Sequence, residues 1–202
     1  MKYSNLSLGR IEAIVNRLGG MDGVERFLRG ELVVSESTRS WREKDGVIYF
    51  SVTSDGTTGK DWITRLERKK LRVGSLYAER VLRHDAFKPT CGVTTEVAVL
   101  KGMLFEDSDR ITSKIREEAD RRKLSKPNAE VACLIRERLA DSEIKAMHLL
   151  RVIVMHQGYD IGSDVDPVLL GADRSDKGHW LCGYCGRPEK GWSRDHGFAF
   201  VV

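Results

Sequence analysis

The segment Val47-Ile48-Tyr49-Phe50-Ser51-Val52 decides how the rest of the chain is interpreted, because it predicts a β-strand most clearly. β-Branched and aromatic residues of this kind are typical of strands. A second segment of the same character runs from Gly92 to Leu100, and the C-terminal part of the chain predicts three more, at 149–155, 179–184 and 198–202. The sequence therefore predicts an α+β fold with a mainly antiparallel sheet of about five strands and helices packed on one face.

Between the strands, apolar residues recur at helical spacing. This pattern predicts helices over roughly 60–70 and 76–83 and three more in the middle of the chain. The first of these three is expected to be capped by Asp107 or Ser108, the second to open at Pro127 and Asn128, and the third to be capped by Asp141. The segment from Gln157 to Gly178 reads as a long loop that is functional or mobile.

Residues 1–34 predict two short helices, because Gly19-Gly20 interrupts the apolar pattern and Gly30 ends it. We expect one α+β domain over residues 1–202, in which this helical hairpin is semi-independent. The hairpin either packs on the main body or carries a partner surface.

Composition bounds the classes of protein that fit the chain. With 202 residues and 41% hydrophobic residues, it can bury a sizeable core without disulfides or a metal. Its 34 basic and 30 acidic residues give a net charge of +4, which permits a nucleic-acid partner without indicating one. The apolar runs 131–135 and 198–202 are too short to cross a bilayer, and no apolar signal stretch begins the sequence. We therefore expect a cytoplasmic location and no membrane association.

A cysteine pair near the C-terminus, Cys182-Gly-Tyr-Cys185-Gly186, resembles half of a zinc knuckle. With His179 and His196 it could supply four zinc ligands. However, no second Cys-x-x-Cys follows, and in a regular strand Cys182 and Cys185 would point to opposite faces. Absence of any cofactor is therefore the favoured interpretation, and zinc is the alternative.

The same region contains a second candidate site, for contact with a protein partner. Trp180, Tyr184, Trp192 and Arg194 could form an exposed patch of aromatic and basic side chains, a composition common at protein interfaces. The default interpretation is that the aromatic side chains are buried in the C-terminal hairpin.

Four other features that could indicate a binding or catalytic site are better explained by ordinary structural roles. Residues 54–60 resemble a phosphate-binding loop, but Thr58 or Asp61 as a helix cap explains their composition. The basic segments 60–88 and 110–126 contain interleaved acidic residues, which predicts surface ion pairs such as Glu118–Arg122. His156 is interpreted as a structural histidine, and the aspartates of the following loop as turn residues: Asp160, Asp164 and Asp166.

Four segments resemble a group of uncharacterised bacterial hypothetical proteins: Leu18–Leu32, Thr94–Phe105, Lys126–Arg136 and Trp192–Phe200. The resemblance implies a small, self-contained bacterial domain and no particular activity or ligand. The tail of that group does not depend on the two cysteines, which argues against a shared metal site.

These observations favour a non-catalytic domain that binds a macromolecular partner through the C-terminal hairpin and the 157–178 loop. One alternative is a metal-dependent or hydrolytic enzyme centred on His156, His179 and the loop aspartates. The other alternative is a nucleic-acid-binding protein that uses the basic helices.

Overall fold

A computed structural model describes residues 7–32, 40–162, 165–175 and 178–202, except for the side chains of Ser175, Gly178 and His179. The chain divides into two compact units, Met1–Arg39 and Ser40–Val202. None of the described helices is long and apolar enough to cross a membrane.

The first unit contains the predicted helical hairpin, formed by α1 (Leu8–Leu18) and α2 (Met21–Leu28). Gly19 ends α1 in the left-handed conformation, with φ of 91°, and donates to the carbonyl of Asn16. Gly23 lets the two helices approach closely, since a Cβ there would lie 1.6 Å from the carbonyl oxygen of Leu18. The turn between the helices therefore depends on glycine at both positions.

The second unit is built around one eight-stranded sheet. Its elements follow in chain order: β1 (Arg42–Lys44), β2 (Val47–Asp55), α3 (Gly59–Arg68), β3 (Leu71–Val73), α4 (Leu76–Leu82), β4 (Cys91–Lys101), a 3₁₀ turn (Gly102–Leu104), α5 (Thr112–Arg121), α6 (Glu130–Arg138), α7 (Asp141–Ala146), β5 (Arg151–Val154), β6 (Val168–Ser175), β7 (Gly178–Cys185) and β8 (His196–Val201). The strand order across the sheet is β1-β2-β4-β8-β5-β6-β7-β3.

The α+β prediction is confirmed, but the predicted sheet of about five mainly antiparallel strands is wrong. The sheet has eight strands and is mixed, with β8 parallel to β5 and β7 parallel to β3. β1 and β3 are three residues long, too short to show an alternating pattern. The predicted long loop at 157–178 is also wrong in part, because β6 occupies its second half.

Helices pack on both faces of the sheet, which corrects the expectation of one covered face. The first face meets α3, α4, α6 and α7 in a large core that includes Trp62, Leu66, Ile135 and Val152. The second face meets α5 through Ile115 and Ala119, together with Trp192 and Phe198. We call these the first face and the second face below.

Several local predictions can be compared directly with the structure. The side chain of Thr58 caps α3 by accepting from the backbone N–H of Asp61, as the cap interpretation requires. The Glu118–Arg122 ion pair is present, with 2.6 Å between Oε1 and Nε. The predicted cap of the first middle helix at Asp107 or Ser108 is wrong, since α5 begins only at Thr112, after Ile111 bridges to Gly191.

Candidate ligand-binding cleft

Five side chains form one lateral row across five neighbouring strands of the sheet. The Cα partners in register are His196 with Arg151, Arg151 with Asp173, Asp173 with Trp180, and Trp180 with Arg72. Side chains directly opposite each other in neighbouring strands lie on the same face of a sheet. Val152, Ala172 and Leu181, which alternate with these residues, pack into the first face, so this polar row belongs to the second face.

A cleft of about 680 Å³ lies over the polar row. The described residues that line it are Gly74, Leu150, Arg151, Asp173, Arg174, Trp180 and Cys182. A Cβ at position 74 would lie 2.5 Å from Cε3 of Trp180 and 3.0 Å from the sulfur of Cys182. Because residue 74 is glycine, the side chains of Trp180 and Cys182 have room to pack in the wall of the cleft.

The centre of the cleft contains polar atoms whose hydrogen bonding is incomplete. Nε of Arg151, Oδ1 of Asp173 and the hydroxyl of Tyr184 are buried and have no hydrogen-bond partner within the described part of the chain. Arg151 Nε lies 3.7 Å from Asp173 Oδ1, which is an ion pair but too long for a hydrogen bond. Buried polar groups in native proteins are nearly always paired, so the unpaired Nε of Arg151 favours a hydrogen-bond acceptor at this point.

Burial raises the pKa of Asp173, and the nearby Tyr184 hydroxyl and the guanidinium groups of Arg151 and Arg136 oppose that increase. A carboxyl group with a raised pKa in a cleft is a recognised feature of functional sites. Burial, with the Asp173 carboxylate, also raises the pKa of Tyr184. Burial therefore disfavours the charged form of both side chains.

Arg136 holds β6 in place from the first face. Its guanidinium donates to the carbonyl of Asp173 at 2.8 Å, to the carbonyl of Leu139 at 2.6 Å and to the carboxylate of Asp141 at 2.9 Å. The side chain is almost fully buried. The backbone of Asp173 is thus fixed by a charged group on the opposite side of the sheet.

The two cysteines of the predicted zinc motif lie on opposite faces of β7, which continues through both without a turn. Cys182 faces the cleft, and burial, with the charge of Asp173, raises the pKa of its thiol to about 11. The Cys185 sulfur lies 3.4 Å from a carboxylate oxygen of Asp166. Two strands separate Cys182 from His196, a distance of roughly 14 Å. Within the described residues there is no group of three His, Cys, Asp or Glu side chains placed to hold a metal ion.

The predicted partner-binding residues lie in three places: the core, the cleft and an exposed turn. Trp192 is buried, and its indole N–H donates to the hydroxyl of Thr112 at 3.0 Å. Tyr184 is partly buried against Trp192, with 6.1 Å between ring centroids. Trp180 lines the cleft, and Arg72 stacks on its ring at 5.2 Å. Arg194 is exposed in the turn before β8.

His156 is a structural histidine, as its sequence context predicts. Its Nδ1 donates to the carbonyl of Gln157 at 2.6 Å, and its Nε2 accepts from the backbone N–H of Leu170 at 2.9 Å. Both ring nitrogens are therefore engaged by the backbone, and burial lowers the pKa of His156 to about 4.

The loop aspartates near His156 take part in local contacts. Asp160 accepts from the backbone N–H of Gly162 at 3.2 Å, which is turn chemistry. Asp166 pairs with Arg187. Asp164 lies outside the described residues.

The sequence interpretation missed Arg72, Arg151 and Asp173 as site residues. Arg151 stood at the start of a predicted strand, and Asp173 was assigned to a loop. The apolar run Val168-Leu-Leu-Gly-Ala172 was the signal for β6, and it would have placed Asp173 on the same sheet.

Comparison with protein-family models, with curated proteins and with solved structures gives no match to this chain. The resemblance to bacterial hypothetical proteins stays a prediction.

Proposed function

We propose that the protein binds a protein partner through the cleft, and that the partner inserts an acidic side chain there. The observation that carries this proposal is the buried Nε of Arg151, an N–H donor that lacks a hydrogen-bond partner within the described residues. A carboxylate is the natural acceptor for a guanidinium group, because the two planar groups form short, charge-assisted hydrogen bonds.

The charges around the cleft support an anionic ligand. Arg72, Arg151 and Arg174 contribute three positive charges on β3, β5 and β6, and Asp173 is the acidic residue among the described lining residues. The ion pair of Asp173 with Arg151 reduces the repulsion between Asp173 and an incoming carboxylate. Trp180 offers an apolar wall for the methylene groups of a glutamate.

The pairing of the other basic residues favours a protein partner over a nucleic acid. Binding along a phosphate backbone uses a series of lysines and arginines that are available to phosphates. In the basic segments, many cations are already paired with carboxylates: Lys69 with Glu137, Arg83 with Glu79, Lys114 with Glu117, and Arg122 with Glu118. This pairing leaves fewer lysines and arginines of the basic segments available to a phosphate backbone.

The proposal is tested by titrating the full chain with a hexaglutamate peptide, and with hexaglutamine as the uncharged control, in a calorimeter. We expect binding of hexaglutamate that weakens as salt is added, and at least a roughly tenfold loss of affinity in Arg151→Gln. Arg122→Gln, which removes an exposed cation at the C-cap of α5, is the matched control and should bind as the unmodified protein does.

Arg72→Gln provides a second variant at the exposed edge of the sheet, where a substitution leaves the core intact. It should weaken binding by a smaller factor than Arg151→Gln. Equal affinity for hexaglutamate and hexaglutamine would overturn the proposal. Tighter binding of a single-stranded oligonucleotide, unaffected by Arg151→Gln, would also overturn it and favour the nucleic-acid alternative.

A further inference from the structure

The two helices of the α1–α2 hairpin leave an apolar surface that they do not cover themselves. None of the residues of α1 is buried, and in α2 only Gly23 is. The large apolar side chains that remain 41–87% exposed are Leu8, Ile11, Ile14, Met21, Phe27 and Leu28. In α1 they recur every three residues, which is the spacing of one helix face. An apolar surface of this kind marks an interaction site.

The hairpin is too small to be stabilised by its own contacts. Its described part spans residues 7–32, in which Val15, Leu18 and Val24 are only partly buried. Chains below about 40 residues rarely bury enough apolar surface to fold unless a disulfide, a metal or association with another chain adds stability. Association through the exposed apolar side chains would supply that stability.

The charges of the hairpin indicate what kind of surface covers it. Residues 7–32 contain four arginines and four acidic residues, so the segment is formally neutral. Arg29 pairs with Glu25 at 3.7 Å and with Glu31 at 2.8 Å, which neutralises charge within the hairpin. A membrane surface or a nucleic acid selects helices with an excess of lysine and arginine. A second copy of the hairpin does not need an excess of lysine and arginine. Because each hairpin is formally neutral, two copies do not repel each other.

We infer that the hairpin pairs with the α1–α2 hairpin of a second copy of this chain to form a four-helix arrangement. Two identical surfaces related by a twofold axis are self-complementary, and this symmetry is the commonest among soluble oligomers. The six side chains would remove roughly 600 Å² per copy from water, or about 1,200 Å² in total, which reaches the lower limit of a specific interface. The dimer is therefore expected to be weak to moderate and to depend on protein concentration.

The test is sedimentation equilibrium of the full chain between about 1 and 100 µM, where a dimer with a micromolar dissociation constant dissociates visibly. We expect twice the monomer mass at the highest concentration, and at least a roughly thirtyfold weaker dimer in Ile11→Glu, because a carboxylate would be desolvated in the interface. Glu12→Gln, at the adjacent exposed position, is the matched control and should leave the dimer unchanged.

Ile11→Leu keeps the apolar surface and should keep the dimer, which separates loss of pairing from a general effect of changing residue 11. A monomer at about 100 µM, or a dimer that persists in both Ile11→Glu and Phe27→Glu, would overturn the inference. The binding of hexaglutamate to Ile11→Glu is measured in parallel. The cleft and the hairpin surface belong to different units, so failure of one proposal leaves the other intact.

Discussion

The two faces of the sheet are covered to different extents. On the first face four helices close a continuous apolar core around residues such as Trp62, Leu66 and Ile135. On the second face α5 and the Trp192 segment pack on a smaller core, and Arg151, Asp173 and Trp180 line the cleft outside that core. The same strands thus contribute apolar residues to one side and charged residues to the other. The difference shows that the cleft exists because the second face has too little helix to cover it.

The dimensions of the elements explain this shortage. Eight strands about 4.8 Å apart span about 34 Å, whereas a helix is about 10 Å wide. α5, with ten residues, is about 15 Å long. It can therefore cover only part of the second face, and the rest must be polar or bind a partner.

The largest expected effects are the losses of unfolding free energy when one buried isoleucine in each apolar core is shortened to alanine. Ile135 in α6 and Ile115 in α5 are both fully buried, one on each face. We expect Ile135→Ala to lower the free energy of unfolding by about 4 kcal/mol and Ile115→Ala by about 2–3 kcal/mol. The first value is larger because surrounding helices hinder collapse of the cavity, whereas α5 can shift toward the sheet.

Urea unfolding of both variants measures this difference, and Leu76→Ala is the control. Leu76 is exposed, so its loss should change stability by less than about 0.5 kcal/mol. A larger loss for Ile115→Ala than for Ile135→Ala would mean that the second face is the more tightly packed of the two.

Each face also carries one buried histidine, which extends the comparison to pH. Burial lowers the pKa of His156 to about 4, and burial together with Arg151 lowers that of His196 to about 4. Because both pKa values lie below the usual 6.5, the unfolded chain binds more protons between pH 6.5 and 4. Stability is therefore fully present above pH 6.5 and falls as the pH decreases toward 4, by up to about 3 kcal/mol for His156.

Chemical unfolding at a series of pH values measures this dependence in the unmodified protein, His156→Gln and His196→Gln. We expect the slope between pH 6.5 and 4 to become shallower in each variant, by as much as one proton. The larger change is expected for His156, which is the more deeply buried of the two. An unchanged slope in His156→Gln would contradict the assignment of a neutral ring held by two backbone groups.

The elements that the sequence predicted well are those with long, regular patterns. β2, β4, α3 and α6 each carry enough apolar residues to show their periodicity, and all four were identified. β6 was missed because Asp and Gly residues on both sides of its apolar run suggested a loop. The parallel pairing of β5 with β8 could not be predicted, because it depends on which distant segments meet.

The polar row also depends on the pairing of distant segments, so the sequence alone could not predict the site. Trp180 was singled out for its chemistry, but Arg72, Arg151 and Asp173 are ordinary charged residues in sequence. Their significance comes from the register of four strand pairings, which aligns residues up to 124 positions apart in the chain. Spacing along one segment carries no information about such alignment, whereas the cysteine pair attracted attention because its spacing is local.

The smallest expected effect tests the wall of the cleft itself. In Gly74→Ala the new methyl group would meet Trp180 at 2.5 Å, so the indole must move. We expect a loss of about 1–2 kcal/mol in unfolding free energy and a several-fold weaker binding of hexaglutamate. Gly191→Ala is the matched control, since nothing lies within 4 Å of its added methyl group, and it should leave both quantities nearly unchanged. If Gly74→Ala lowers stability but leaves binding intact, Trp180 belongs to the structural part of the second face and not to the ligand site.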